Sequence, residues 1–298
     1  MRFLIAGSSG FLGTRLRERL VAQGHSVTSL VRRAPGTDEV RWDPYAAPLG
    51  TEVVDAHDVV VNLAGSPLVG NPHSRKWQRE VMESRVATTG TLARAIAGST
   101  TKPAFLAGNG ISIYGDHGDQ QLSEDADSRG DALLTRVSRA WEAAAEPARG
   151  AGARVCILRT SPVYDRRSQP LGMLRLLFKA GLGGPLGDGR QYAPMISTRD
   201  WVDAVVHLGE HADAQGPFNL CCERTPTNEE FTRELAGQLH RPAFVRAPAF
   251  AIRPAGGELG RLVLDSINAR PAALMASGYR FADPDVSAVL REGLAPSR

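Results

Sequence analysis

Lysine is almost missing from this chain. Only Lys76, Lys102 and Lys179 stand among its 35 basic residues, and the net charge is just +3. The basic residues are scattered, so the arginine and alanine richness reads as genome bias and argues against a nucleic-acid partner. Long apolar runs are missing as well. None approaches the roughly 18 residues of a membrane span, which argues against a membrane partner. The apolar run that begins at Phe3 is too short for a signal peptide and meets glycines at once. Cysteine is scarce: Cys156, Cys221 and Cys222 form an adjacent pair and one remote residue. That spacing is no disulfide framework, and a reducing cytoplasm is the expected setting. Low-complexity tracts and clear internal repeats are absent too.

What is present is an ordinary globular balance, 42% hydrophobic and 22% charged over 298 residues. That length supports one large core, or a larger and a smaller lobe. Phe3 to Ala6 reads as a buried parallel strand. Phe11, Leu12, Leu16, Leu20 and Val21 follow at helical spacing, and Gly24 ends the pattern. Strands are expected at Val27–Val31, Val40–Trp42, Asp58–Gly65 (running into a turn), Ala104–Ala107 and Arg154–Arg159, with helices at Trp77–Ala97 and Ala132–Ala148. The alternation predicts parallel strands with crossover helices on both faces. After about Tyr164 glycine, proline and arginine become frequent, as in Gly181–Gln191. Asp200–Glu210 reads as a helix, Pro217–Cys222 as a strand, and Asn228–Leu239 as a helix capped by Thr227. Shorter elements fill Ala243–Leu294. The expected fold is α/β: a Rossmann-type doubly wound parallel sheet with a smaller C-terminal substrate lobe over the sheet's C-terminal edge, where open α/β folds bind ligands. The Rossmann domain is placed at 1–164, completed by about 196–222, and the lobe at 165–298.

The most informative motif is Gly7-Ser8-Ser9-Gly10-Phe11-Leu12-Gly13, lying between a strand and a helix. In G-x-x-G-x-x-G the first glycine permits the tight turn and the second lets backbone approach a pyrophosphate. The third lets the helix pack on the sheet, and free N–H groups at the helix start face the phosphates. About 20 residues on, where an NAD site usually has an acidic residue, stand Arg32 and Arg33. Guanidinium groups suit a 2′-phosphate, so NADP is expected over NAD; two solvated surface arginines are the alternative. Leu63, Ala64 and Gly65 end a strand in small residues that would let the adenine-ribose side lie against backbone, or that simply pack.

Those motifs resemble a known family when taken with Arg41–Pro44 (RWDP), Ser84–Val86 (SRV), Ile113–Asp116 (IYGD), Trp141–Ala145 (WEAAA), LGGPLGDGRQ, Pro217–Phe231 and Ser266–Phe281. They look like the atypical extended short-chain dehydrogenase/reductases, in the sugar-nucleotide-epimerase-like branch with its own C-terminal domain, here from about residue 245. The resemblance implies a Rossmann domain, NADP(H) and a substrate lobe, and names no substrate.

The family's usual chemistry has gaps here. Short-chain dehydrogenases pair a Tyr with a Lys four residues later, the Lys lowering the phenol's pKa for proton exchange during hydride transfer. The residues four after Tyr45, Tyr114, Tyr164, Tyr192 and Tyr279 are Leu49, Gly118, Ser168, Ile196 and Asp283. The serine-rich strand end reads Ala107–Gly115, with Ala107 and Asn109 in the serine positions, or Gly110 in another register. The remaining candidates are Tyr114 as general acid (or as packing at the strand exit) and Asn109 as a hydrogen-bonder to a substrate carbonyl (or a turn cap). Tyr164 is a third, at the cleft rim, and Arg190 with Gln191 would meet an anionic substrate group (or Arg190 a loop salt bridge). His207–His211 fits the H-x-x-E-H zinc pattern, but Gly209 weakens that helix and no third ligand stands out, so no metal is expected. The reading is an NADP(H)-binding oxidoreductase or isomerase acting on a small polar substrate, its oligomeric state open. The alternative is a non-catalytic NADP(H)-sensing or binding protein.

Overall fold

The computed structural model describes residues 1–68 and 70–296. An uninterrupted apolar run suits a strand buried on both faces, and Phe3, Leu4, Ile5 and Ala6 are fully buried in β1 (Arg2–Ala6). The chain continues through α1 (Phe11–Ala22), β2 (Ser26–Val31), β3 (Glu39–Arg41), α2 (Thr51–Asp55), β4 (Val59–Asn62), α3 (Arg75–Gly98) and β5 (Ala104–Gly110). Next come β6 (Gln121–Leu122), α4 (Leu133–Ala143), α5 (Glu146–Gly150), β7 (Val155–Thr160), β8 (Val163–Tyr164) and α6 (Gln169–Lys179). The remainder is β9 (Ile196–Ser197), α7 (Thr198–Glu210), β10 (Gly216–Leu220), α8 (Asn228–Leu239), α9 (Ala249–Leu262), β11 (Asn268–Ala269), α10 (Ala272–Ala276) and α11 (Val286–Leu294).

Seven strands make one parallel sheet in the order β10-β7-β5-β4-β1-β2-β3, the Rossmann-type arrangement expected. Order reverses beside β1: the chain runs outward through β2 and β3, then returns to β4 on β1's other side. The registers Phe3↔Val27 and Phe3↔Val59 place β1 between the two. The carboxyl ends of β1 and β4 therefore meet at the topological switch point, where folds of this class hold ligands. On one face Leu4, Val60, Phe105 and Ile157 join Leu92 and Ile96 of α3 in a buried cluster. On the other, Gly209 of α7 comes so close to Phe3 that a Cβ there would lie 3.0 Å from its ring.

Two compact units emerge, each assembled from three stretches. The first holds Met1–Asn109, Val137–Leu158 and Val202–Pro217; the second holds Gly110–Arg136, Arg159–Trp201 and Phe218–Arg298, described here to 296. The sequence reading places the first domain at 1–164, completed by about 196–222, and so keeps 110–136 within it. The segment 110–136 belongs with the second unit because Ile111, Ile113, Tyr114 and Leu122 share a core with Cys221, Ile267 and Ala269. A second cluster there joins Leu171 and Phe178 to Phe231, Leu235, Val289 and Leu290.

Two helices depart from the sequence reading. The expected helix at 132–148 is broken in two, because Ala145 caps a new start with Pro147 in its first turn, and a proline lacks the N–H that would continue the first helix. α6 lies in the glycine- and proline-rich stretch where none was expected. α8 begins behind Thr227, as anticipated, with a full capping box: Thr227 Oγ1 accepts from Glu230 N, and the Glu230 carboxylate accepts from Thr227 N.

Candidate functional site

The glycine loop closes on itself so tightly that side chains are excluded. Gly7 sits at φ 84°, and a Cβ there would lie 2.7 Å from the Leu63 carbonyl carbon. A Cβ on Gly13 would lie 2.1 Å from Gly7 O. Gly10 N donates to Gly7 O at 3.1 Å, which pins the turn. Ser8 is buried while Ser9 and Gly10 are exposed, with Phe11 and Leu12 half-buried. Gly10 caps α1 without a side-chain hydrogen bond, and no acidic residue stands in the first turn. The helix start thus offers free N–H groups and positive potential to an anion.

The turn after β4 abuts this loop. Leu63 N donates to Ala6 O at 2.8 Å, and Ala64 N to Asn62 Oδ1 at 3.1 Å. Asn62 is fully buried and donates to Thr89 Oγ1 at 2.8 Å, which also accepts from Trp141 Nε1 at 2.7 Å. Gly65 is exposed and lies against the Arg85 side chain. Leu63 and Ala64 thus lie against Gly7 of the glycine loop, while Gly65 lies against Arg85.

The two arginines part ways. The Arg33 guanidinium grips Glu39 with both ends, at 2.6 and 2.7 Å, and that contact holds the Glu39 carboxyl below the usual carboxylate range. Arg32 is exposed and makes no ion pair among the described residues. Arg41, named in the sequence only as part of RWDP, sits in register with Val31 and is likewise exposed without an ion pair. Arg32 and Arg41 thus stand without an ion pair among the described residues, while Arg33 is paired with Glu39.

Tyr114 is corrected more sharply. The sequence offered it as an acid, but it has no exposed surface. Its hydroxyl donates to Asn219 Oδ1 at 2.8 Å and accepts from Arg159 Nη1 at 2.9 Å. Burial pushes its pKa up to about 12 against the pull of Arg159, which makes it a poor proton donor near neutrality. Tyr114 is one post of a buried clasp in the second unit: Glu124 accepts from Asn219 N and Ala273 N, and Asn219 Nδ2 donates to Arg270 O. Substituting Tyr114→Phe strands Asn219 Oδ1 and is expected to cost about 1–3 kcal/mol in urea unfolding. An unchanged unfolding midpoint with lost turnover would return Tyr114 to the chemistry.

Asn109 is buried at the end of β5, and its amide donates to Ser138 O at 3.1 Å and to Glu142 Oε2 at 3.3 Å. The half-buried Glu142 of α4 is thereby held beside the end of β5. Sequence reasoning quoted WEAAA without giving Glu142 a role; the signal available was an acidic residue following the tryptophan that Thr89 fixes. Tyr164 packs on Phe231 at 5.3 Å, partly buried against the second unit's core, and burial raises its pKa. Gln191 is buried as a strut, donating to Leu186 O and Val263 O. Arg190 is exposed, and among the described residues it is tied through its main chain to Asp188. His207 and His211 lie edge-on at 5.3 Å, and among the described residues no three His, Cys, Asp or Glu converge as metal ligands. No helix among the described residues is long and apolar enough to cross a membrane.

Comparison with known proteins gives a consistent picture. Residues 3–221 match the NAD dependent epimerase/dehydratase family, and residues 247–292 match a domain of unknown function, DUF1731. The epimerase family protein SDR39U1 of Bos taurus is 36% identical over 302 residues, covering 99% of this chain and all of that one. The crystal structure of human SDR39U1 isoform 2 with NADPH superposes with a TM-score of 0.87 at 31% identity, covering 98% of this chain and 99% of that one. The nucleoside-diphosphate sugar epimerase of Corynebacterium glutamicum superposes at 0.81 with 32% identity, covering 99% of this chain and 58% of its longer partner.

Proposed function

The chain belongs to the NAD dependent epimerase/dehydratase family, and from that premise we propose that it binds NADP(H) and transforms a nucleoside-diphosphate sugar or similar small polar substrate by oxidoreduction. The observation that carries the reading is the glycine cradle, whose space a single Cβ on Gly7 or Gly13 would fill. The cradle, the uncapped start of α1 and the Leu63–Gly65 turn fit a dinucleotide diphosphate. The SDR39U1 structure holding NADPH and the nucleoside-diphosphate sugar epimerase support the cofactor and the substrate class. Three buried free cysteines support a reducing, cytoplasmic setting.

When bound, the nicotinamide supplies hydride acceptance or donation. The protein's part is to bind, orient and move a proton. We assign Arg32, with Arg41 beside it, to the 2′-phosphate, and leave Arg33 to Glu39. Arg32→Ala is expected to weaken NADPH by about tenfold or more and NADH little, and Arg33→Ala to do markedly less. Calorimetric titration of both variants with both coenzymes checks this; equal weakening of NADPH and NADH removes Arg32 from the role. For the proton we assign Glu142, steadied by Asn109, in place of the absent Tyr-x-x-x-Lys. Arg190, exposed on its loop, is free to meet an anionic part of the substrate.

A second reading has its own support. The missing pair and the sealed hydroxyl of Tyr114 favour a protein that binds NADP(H) without turnover. One assay separates the two: NADPH absorbance at saturation is followed against a panel of nucleoside-diphosphate sugars and their keto forms. Oxidation with any of them, or conversion of any sugar nucleotide to another isomer by chromatography, upholds the enzyme; tight binding with an unchanging signal and unaltered sugar nucleotides throughout upholds the sensor.

A further inference from the structure

Arg85 of α3 carries a positive charge into the first unit without a negative partner. The residue is nine-tenths buried. Its Nη1 donates to Ser66 O at 3.1 Å and Val81 O at 3.0 Å, and the guanidinium lies 5.0 Å over the Trp141 ring. A guanidinium has five N–H groups; the other three find no hydrogen-bond partner among the described residues. No carboxylate among those residues reaches it, and burial alone draws its pKa down to about 10. A largely buried charge without a carboxylate partner is costly, and two carbonyls and an aromatic face offset only part of it; none of its nitrogens is both fully buried and unpartnered, so the remaining N–H groups keep some access to solvent or a ligand.

The placement says what is missing. Ser66 N donates to Ser84 Oγ and Ala64 O accepts from Thr88 Oγ1, so the 63–66 turn is stitched to the same face of α3 that carries Arg85. Leu63, at the start of that turn, abuts Gly7 of the glycine loop. Gly65 has no side chain, and a Cβ there would sit 3.3 to 3.5 Å from Arg85 Cγ, Cζ and Nη1. The absence of a side chain on Gly65 lets the Arg85 side chain lie close against the turn on that side, while Trp141, tied to Thr89, backs it on the other. We propose that Arg85 receives a phosphoryl group of a ligand bound at the β1–β4 switch point. This rests on the nucleotide-binding reading and adds to it a second anion-binding group, from α3 rather than α1. Two ligands carry that chemistry: the dinucleotide, through its own diphosphate, and a nucleoside-diphosphate sugar.

The test uses the full chain with R85Q and R85K. Affinity for NADPH is measured alone, and affinity for UDP is measured on the NADPH-saturated protein, each at two salt concentrations; ligand-free melts are run in parallel. R85Q is expected to lose about tenfold or more for one of the two ligands and to flatten its salt dependence, while its ligand-free melting point holds or rises. R85K, which keeps charge without the fork, falls between. Loss for NADPH assigns the group to the cofactor; loss for UDP alone assigns it to the substrate. Wild-type affinity for both in R85Q, with a lowered melting point, makes Arg85 a strut for the 63–66 turn and overturns the proposal. Should R85Q not fold, unchanged affinities in R85K overturn it equally. A wild-type chain that binds neither ligand refutes the nucleotide-binding reading itself, a different result from variants that match a binding wild type.

Discussion

Substituting Gly13→Ala is expected to weaken NADPH binding by roughly a hundredfold, about 2.8 kcal/mol at 1.4 kcal/mol per decade. The added carbon would lie 2.1 Å from Gly7 O and 2.8 Å from Ser8 Cα, both backbone atoms that no side-chain rotation relieves. The start of α1 must therefore retreat from the end of β1, and the N–H groups aimed at the diphosphate retreat with it. Fluorescence titration of the reduced coenzyme reads the loss. Gly24→Ala is the control. Gly24 sits at φ 81° with nothing within 4 Å of a Cβ, so alanine there costs backbone strain of about 1 kcal/mol and leaves the loop alone. Wild-type affinity in Gly13→Ala would remove the cradle from cofactor binding.

Glu142→Gln is expected to lower turnover by about 10²–10⁴ while leaving NADPH affinity unchanged, since a positioned acid or base contributes on that scale. The amide keeps the shape of the carboxylate and can still accept from Asn109, so a loss reports the missing proton-carrying group rather than a collapsed site. Asn109→Ala should reproduce part of the loss by releasing the carboxylate that Asn109 Nδ2 holds at 3.3 Å. The readout is the steady-state rate on the sugar nucleotide that the wild-type chain turns over. Undiminished turnover in Glu142→Gln sends the search for the proton carrier elsewhere.

The nucleotide loop was legible because everything that makes it is local: an apolar run, three glycines at fixed spacing and a helix period follow one another within 20 residues. α8 was legible for the same reason, its capping box lying within four residues. α6 was hidden because Met173, Leu176 and Leu177 are exposed, so its apolar residues follow no clean stripe beside Leu171 and Phe178. The chemistry was harder still. Asn109 and Glu142 lie 33 residues apart and meet only because β5 and α4 are packed together. The Arg33–Glu39 ion pair was not legible either, being an ordinary surface pairing that no motif announces. Tyr114 carried the chemistry of an acid, but only its neighbours Asn219 and Arg159, from distant strands, reveal that its hydroxyl is already engaged.

The buried clasp around Glu124 bears on how the chain is made. Its carboxylate accepts from Asn219 N and from Ala273 N, 95 and 149 residues downstream, and β6 pairs with β11 across a similar span. During synthesis the second unit has no way to close until nearly the whole polypeptide has left the ribosome, whereas β1, α1 and β2 can zip together early. A nascent chain stalled before residue 273 would expose an ionisable carboxyl and an unfinished core, a natural target for chaperones. C-terminal truncations should therefore surface as aggregation in the cell, before any defect in the nucleotide loop is felt.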